Sequence, residues 1–134
     1  MLFRSLPVWR GTSGIETHLA AATAVFAAGA HYAVMPEGGT SGPADSFAEF
    51  RPGAAVIGIR TGVPVVPVVF RFRNRRIGLP RIEIIGLPDT WVVEPGTTPP
   101  TPGSREELTL AAEWSRALSD RMERVWREGV GSAA

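Results

Sequence analysis

Residues Val65 to Phe72 read Val-Val-Pro-Val-Val-Phe-Arg-Phe, an apolar and largely β-branched run with almost no alternation. A strand of that kind is expected to be covered on both faces, which in turn calls for helices on either side of a sheet. Pro67 lacks a ladder donor, so it marks a bulge or an early edge position within the run. The stretches before and after it alternate between helical and extended patterns. Together they predict an α/β chain: a single-domain α/β sandwich with a mainly parallel or mixed sheet flanked by helices.

Leu6 to Arg10 is apolar and then abruptly charged, which predicts a short strand that delivers Arg10 to a sheet edge. Ser13-Gly-Ile-Glu16 has the form of a capping box. It opens a helix through Ile15, Leu19, Ala22, Val25 and Phe26, ended by Gly29. His31 to Met35 is the next predicted strand. Pro52 suits a first helical turn and Gly62 a helix end, so Pro52 to Thr61 is expected to be a second helix. Arg81 to Ile85 alternates as a strand, and Thr90 to Gly103 is a Pro- and Thr-rich surface loop. Ser104-Arg-Glu-Glu107 is a second capping box, before a long helix with the stripe Leu108, Ala111, Ser115, Leu118, Met122 and Val125.

With 134 residues the chain is one domain with room for a core. The formal net charge is +1, which excludes a polyanion binder acting by bulk electrostatics and gives no reason to expect nucleic acid. All 14 basic residues are Arg, and five of them fall between Arg71 and Arg81, so positive charge is local. That cluster reads first as a solvated hairpin face and second as a contact for anionic lipid or coenzyme phosphates. The absence of Cys removes disulfides and thiolate metal sites and fits a cytoplasmic setting. Met1 to Gly14 lacks the pattern of a signal peptide. Thr17 to Pro36 is the longest stretch without Asp, Glu or Arg. It holds two His, a Gly and many Ala, too weakly apolar to span a bilayer.

Val34-Met35-Pro36-Glu37-Gly38-Gly39-Thr40-Ser41-Gly42 carries the chemistry. An apolar run ends in a proline, a carboxylate and small residues whose amides stay uncovered, which suits an anionic head group. A nucleotide P-loop is a distant third reading, since no Gly-Lys-Ser/Thr follows. Further on come Phe50-Arg-Pro-Gly-Ala-Ala and Val63-Pro64-Val65-Val66-Pro67.

In this order the segments resemble the later sequence blocks of the glycerolipid acyltransferases, the family of lysophospholipid and 1-acylglycerol-3-phosphate acyltransferases. The resemblance spans residues 6 to 90. It implies that Arg10 and the Pro36-Glu37-Gly38 turn hold the acceptor phosphate, with Gly38, Thr40 and Ser41 in the same substrate-binding loop. It also implies that Pro36, Val63, Pro64 and Val65 line or support the acyl pocket. The family's first block, His-x-x-x-x-Asp, has a His that acts as general base and an Asp that orients it. Here His18 is followed five places on by Thr23, and His31 by Pro36, so no catalytic residue is assigned. The loop also has Gly39-Thr40 where many members carry Thr-Arg, which shifts phosphate binding toward amides, Thr40 and Arg10.

The expectation is therefore an N-terminally truncated acyltransferase: residues 1–90 the later part of the catalytic domain, 91–103 a loop, and 104–128 a helix packed on the same domain. By resemblance, a fatty acyl group passes from acyl-CoA or acyl carrier protein to the hydroxyl of a lysophospholipid, with no cofactor and no metal. This chain alone is expected to be inactive. The implied setting is the cytoplasmic face of a membrane, held peripherally, with self-association through an exposed truncated edge. The alternative reading is a non-catalytic remnant or phosphate- and lipid-binding module.

Overall fold

Seven residues, 74–80, separate the two extended runs of the chain's middle, and that spacing decides the sheet. A parallel return needs a crossover of a dozen residues or more, whereas an antiparallel return needs only a short connection. In the computed structural model, which describes residues 14–37, 47–73 and 81–128, the two runs pair antiparallel. Strand β1, Val68–Arg73, faces β2, Arg81–Gly86, in a register that sets Phe70 opposite Ile84 and Arg71 opposite Glu83. Beyond Pro67 the ladder continues only as a bridge: Val65 and Trp91 exchange N–H···O bonds of 2.8 and 3.0 Å. The expected α/β sandwich with a mainly parallel sheet is thus corrected. Among the described residues the architecture is three helices and one two-stranded antiparallel sheet.

The chain divides into two compact units, Met1–Val34 and Met35–Ala134. In the first, helix α1 spans Ile15–Ala27, and Gly29 at φ 71° turns the chain out of it. The N-cap is Gly14, with no side-chain cap, and Ser13 of the expected capping box lies outside the described residues. Ala22 is its one buried residue, and Ile15, Leu19, Val25 and Phe26 are half-buried. His18 meets the Tyr32 hydroxyl at 3.4 Å. Residues 31–35 form no strand, a second correction; the strand expected at Leu6 to Arg10 lies outside the described residues.

In the second unit, α2 runs Gly53–Thr61, with Pro52 at its N-cap and Gly62 left-handed at φ 70°. Helix α3 runs Arg105–Glu128. Its first turn is capped by Ser104, whose Oγ accepts from Glu107 N at 3.2 Å. Ala55, Val56, Ile57 and Ile59 of α2 are buried, as are Ala111, Ser115, Leu118 and Val125 of α3. Leu108, expected in that stripe, is 57% exposed, and Glu107 lies buried one position before it. On the hairpin's inner face Val69, Ile85 and Leu87 pack with Val125, flanked by Met122 and Trp126. Each such buried aliphatic side chain contributes about 1.5–3 kcal/mol. The hairpin is covered on that face alone: Val66, Val68, Phe70 and Ile84 are exposed, not sandwiched as the unbroken apolar run predicts.

Candidate functional site

Pro36 and Glu37 end the approach to the glycine-rich loop, and their partners lie across its far end. The Arg51 N–H donates to the Pro36 carbonyl at 2.8 Å, and the Ala48 N–H donates to Glu37 Oε2 at 2.8 Å. These two bonds tie together the chain on either side of residues 38–46. The far side is anchored in turn by aromatic contacts. Phe47 stacks on Phe50 with ring centroids 5.9 Å apart and meets Trp126 of α3 at 5.5 Å. Phe50 is buried. The half-buried Glu37 carboxylate therefore holds backbone on the far side of the loop.

Pro36 is bonded to the residue just before the α2 N-cap, so the loop's two ends meet beside that helix's N-terminus. The first turn of α2 carries no acidic residue, and Arg51, which leads into it, is exposed. Unsatisfied amides at a helix start, with a cation alongside, favour negative charge. Within Phe50-Arg-Pro-Gly, the expectation from sequence gives Arg51 no role. The available signal was the basic residue directly before a helix-initiating Pro52.

The Val-Pro segment sits at the other end of α2. Val63 donates from its N–H to Thr61 Oγ1 at 3.3 Å, Pro64 is exposed, and Val65 packs where Gly58 leaves room for it. The nine residues of α2 put about 13 Å between the two ends. The structure thus brings Pro36, Glu37 and Arg51 together, and sets Val63, Pro64 and Val65 apart from them as packing for α2. Arg10, Gly38, Thr40 and Ser41 lie outside the described residues.

A shallow concavity of about 550 Å³ lies along the first turns of α3 between Arg105, Glu106, Thr109, Leu110 and Glu113, and includes none of the expected site residues. Among the described residues no group of three or more His, Asp or Glu could hold a metal ion. The strongest buried electrostatic feature belongs to the scaffold. Glu107, 1% exposed, accepts from Arg60 Nε at 3.0 Å, Arg60 Nη2 at 2.9 Å and the Gly103 N–H at 3.1 Å. The Arg60 hydrogen bonds hold its carboxyl below the ordinary 4.5, against the opposing effect of burial. No described helix is long and apolar enough to cross a membrane.

Compared with protein-family models, curated proteins and solved structures, the chain matches none of them.

Proposed function

We propose that the chain is the acceptor-binding and acyl-facing portion of a glycerolipid O-acyltransferase of phospholipid biosynthesis. The reaction class is transfer of a fatty acyl group from acyl-CoA or acyl carrier protein to the hydroxyl of a lysophospholipid such as 1-acylglycerol-3-phosphate. The work is done at the cytoplasmic face of a membrane, held peripherally. The observation that carries this reading is the ordered succession of Arg10, Pro36-Glu37-Gly38 and Val63-Pro64-Val65-Val66-Pro67 in one chain.

Three features support it. Glu37 braces the two sides of the glycine-rich loop through Ala48, which suits a loop whose amides must be held toward an anion. The start of α2 and the exposed Arg51 stand beside that brace. Arg10 and Arg51 each offer a forked, permanently charged donor for a phosphate, a geometry that Lys cannot reproduce.

Catalysis needs a base on the acceptor hydroxyl, and neither His18 nor His31 has an Asp five places on. Loss of a general base costs about 10²–10⁴ in rate. These 134 residues therefore bind without transferring. The same gap favours a second reading, a phosphate- and lipid-binding module with no reaction of its own.

The purified chain is titrated with lysophosphatidate and with monoacylglycerol, which lacks the phosphate, and is then incubated with lysophosphatidate and a long-chain acyl-CoA. The expected result is a preference of about tenfold or more for the phosphorylated lipid, about 1.4 kcal/mol, with no turnover above background. Arg10→Lys and Glu37→Ala reduce the preference. Glu37→Gln keeps it, because the amide oxygen still accepts from Ala48. Equal affinity for the two lipids overturns the acceptor site. Turnover that disappears in Glu37→Ala overturns the claim of inactivity.

A further inference from the structure

Between Trp91 and α3 the chain makes the same turn twice. Glu94-Pro95-Gly96-Thr97 and Thr101-Pro102-Gly103-Ser104 each set a proline before a glycine of positive φ, 86° at Gly96 and 77° at Gly103. The Thr97 N–H donates to the Glu94 carbonyl at 3.1 Å, and the Ser104 N–H donates to the Thr101 carbonyl at 3.0 Å. Both have the form of a type II turn. The second runs straight into Ser104, which caps α3, so the segment between the turns is held at both ends.

That segment is Thr98-Pro99-Pro100-Thr101-Pro102. Proline fixes its own φ near −65° and pushes the residue before it to extended backbone. Each of the five residues is a proline or stands directly before one. The chemistry therefore sets a polyproline II helix about 15 Å long, with three residues per turn. Pro102 continues it, because the first central position of a type II turn is itself close to that conformation. Among the described residues no backbone group of Thr98, Pro99 or Pro100 bonds to another, as such a helix requires. Three residues per turn give three edges. Thr98 and Thr101 share one and Pro99 and Pro102 the next, and all four residues are exposed. Pro100, on the third edge, is half-buried. Solvent thus meets two Thr-Pro pairs one turn apart, about 9 Å in repeat.

We propose that Thr98 to Pro102 is a docking strand for a protein partner whose groove is lined by aromatic side chains and reads polyproline II. Each Thr-Pro pair fills one slot between aromatic rings, while Pro100 stays toward the chain's own surface. Little conformational freedom remains to be lost on docking, because prolines fix the segment and turns hold both its ends. Other occupants meet it poorly. Residues 95–104 carry no charge, so neither a nucleic acid nor an anionic bilayer finds a counter-charge there. Pro99, Pro100 and Pro102 have no N–H, so the segment cannot extend the edge of a sheet. The inference is independent of the acyltransferase reading.

The full chain is titrated with a panel of purified SH3 and WW domains, followed by calorimetry and by 15N spectra of the chain. At least one domain is expected to bind saturably and to shift the amides of Thr97, Thr98, Thr101 and Gly103 ahead of all others. Pro99→Ala/Pro102→Ala lowers the affinity about tenfold or more, since both lose apolar ring surface on a docking edge. Pro100→Ala leaves both docking edges in place and lowers it about fivefold at most, through a looser free chain. A thermal melt checks that each variant keeps its fold, and the spectra of the unaltered chain need no variant. Three results each overturn the proposal: no domain of the panel binds, the double variant binds as well as the unaltered chain, or the shifts fall outside residues 97–103. No lipid enters this titration, so failure here leaves the acceptor site standing, and the reverse also holds.

Discussion

Glu107 joins two other parts of the second unit to α3, and neither is its neighbour on that helix. Its carboxylate takes both donors from Arg60 of α2 and the N–H of Gly103 before α3. As the third helical residue after Ser104 it was legible only as half of a capping box. The structure keeps that half, since Ser104 Oγ accepts from its N–H, but sends the side chain elsewhere. The partner lies 47 positions away, which no local pattern encodes. Removing one member of a buried pair strands the other. Glu107→Gln is therefore expected to cost about 3 kcal/mol at neutral pH, at the lower end for such pairs because Arg60 keeps 11% exposure. A urea titration reads this as a lower midpoint, and an unchanged midpoint would sink the assignment. The carboxyl's folded pKa is depressed below its ordinary 4.5, so its contribution is full above that value and is lost as pH falls through the folded pKa. The acid limb of stability below pH 4.5 should be shallower in Glu107→Gln than in the unaltered chain.

At the scale of elements, α2 is set in place by the absence of a side chain. A Cβ on Gly58 would lie 2.5 Å from Val65 Cγ2 and 3.3 Å from the Trp114 ring. Helix propensity alone favours alanine by about 1 kcal/mol, but the branched Val65 cannot swing aside at low cost. Overpacking of this kind costs about 1–3 kcal/mol, so Gly58→Ala is expected to destabilise by about 1 kcal/mol net. Adding Val65→Ala to Gly58→Ala should recover part of the loss, and a thermal-melt double-mutant cycle measures the coupling. Additive losses would mean that the close approach carries no energy. The ends of α2 were legible: Pro52 and Gly62 bracket it because each suits only one end of a helix. The sandwich was not legible, because an apolar run looks alike whether protein or solvent lies on its second face. The seven-residue connection at 74–80 was the counter-signal, too short for a parallel return.

At the scale of the molecule, the second unit closes its own core. Phe50, the buried face of α2, the inner face of the hairpin and the stripe of α3 all belong to Met35–Ala134. Residues 35–134 expressed alone are expected to melt cooperatively, with the slowest amide exchange at the buried turns of α2 and α3. A broad, non-cooperative melt, or uniform rapid exchange, would show that this core does not stand by itself.

The sequence by itself determined the helices, the hairpin strands and the loop between them and α3. Capping residues, a helix-ending glycine, a proline at a helix start and apolar spacing all act over a few neighbouring positions. It also determined the ordered residues on which the acyltransferase reading rests. Only the tertiary structure decided that the sheet has two strands among the described residues, that Leu108 faces outward while Glu107 is buried, and that Glu37 braces a loop through Ala48. It alone set Pro36 and Glu37 beside the start of α2, with the Val-Pro segment at the other end of that nine-residue helix, about 13 Å long. These outcomes depend on which surfaces meet across tens of residues, and burial is a property of the pair of surfaces, not of either sequence alone.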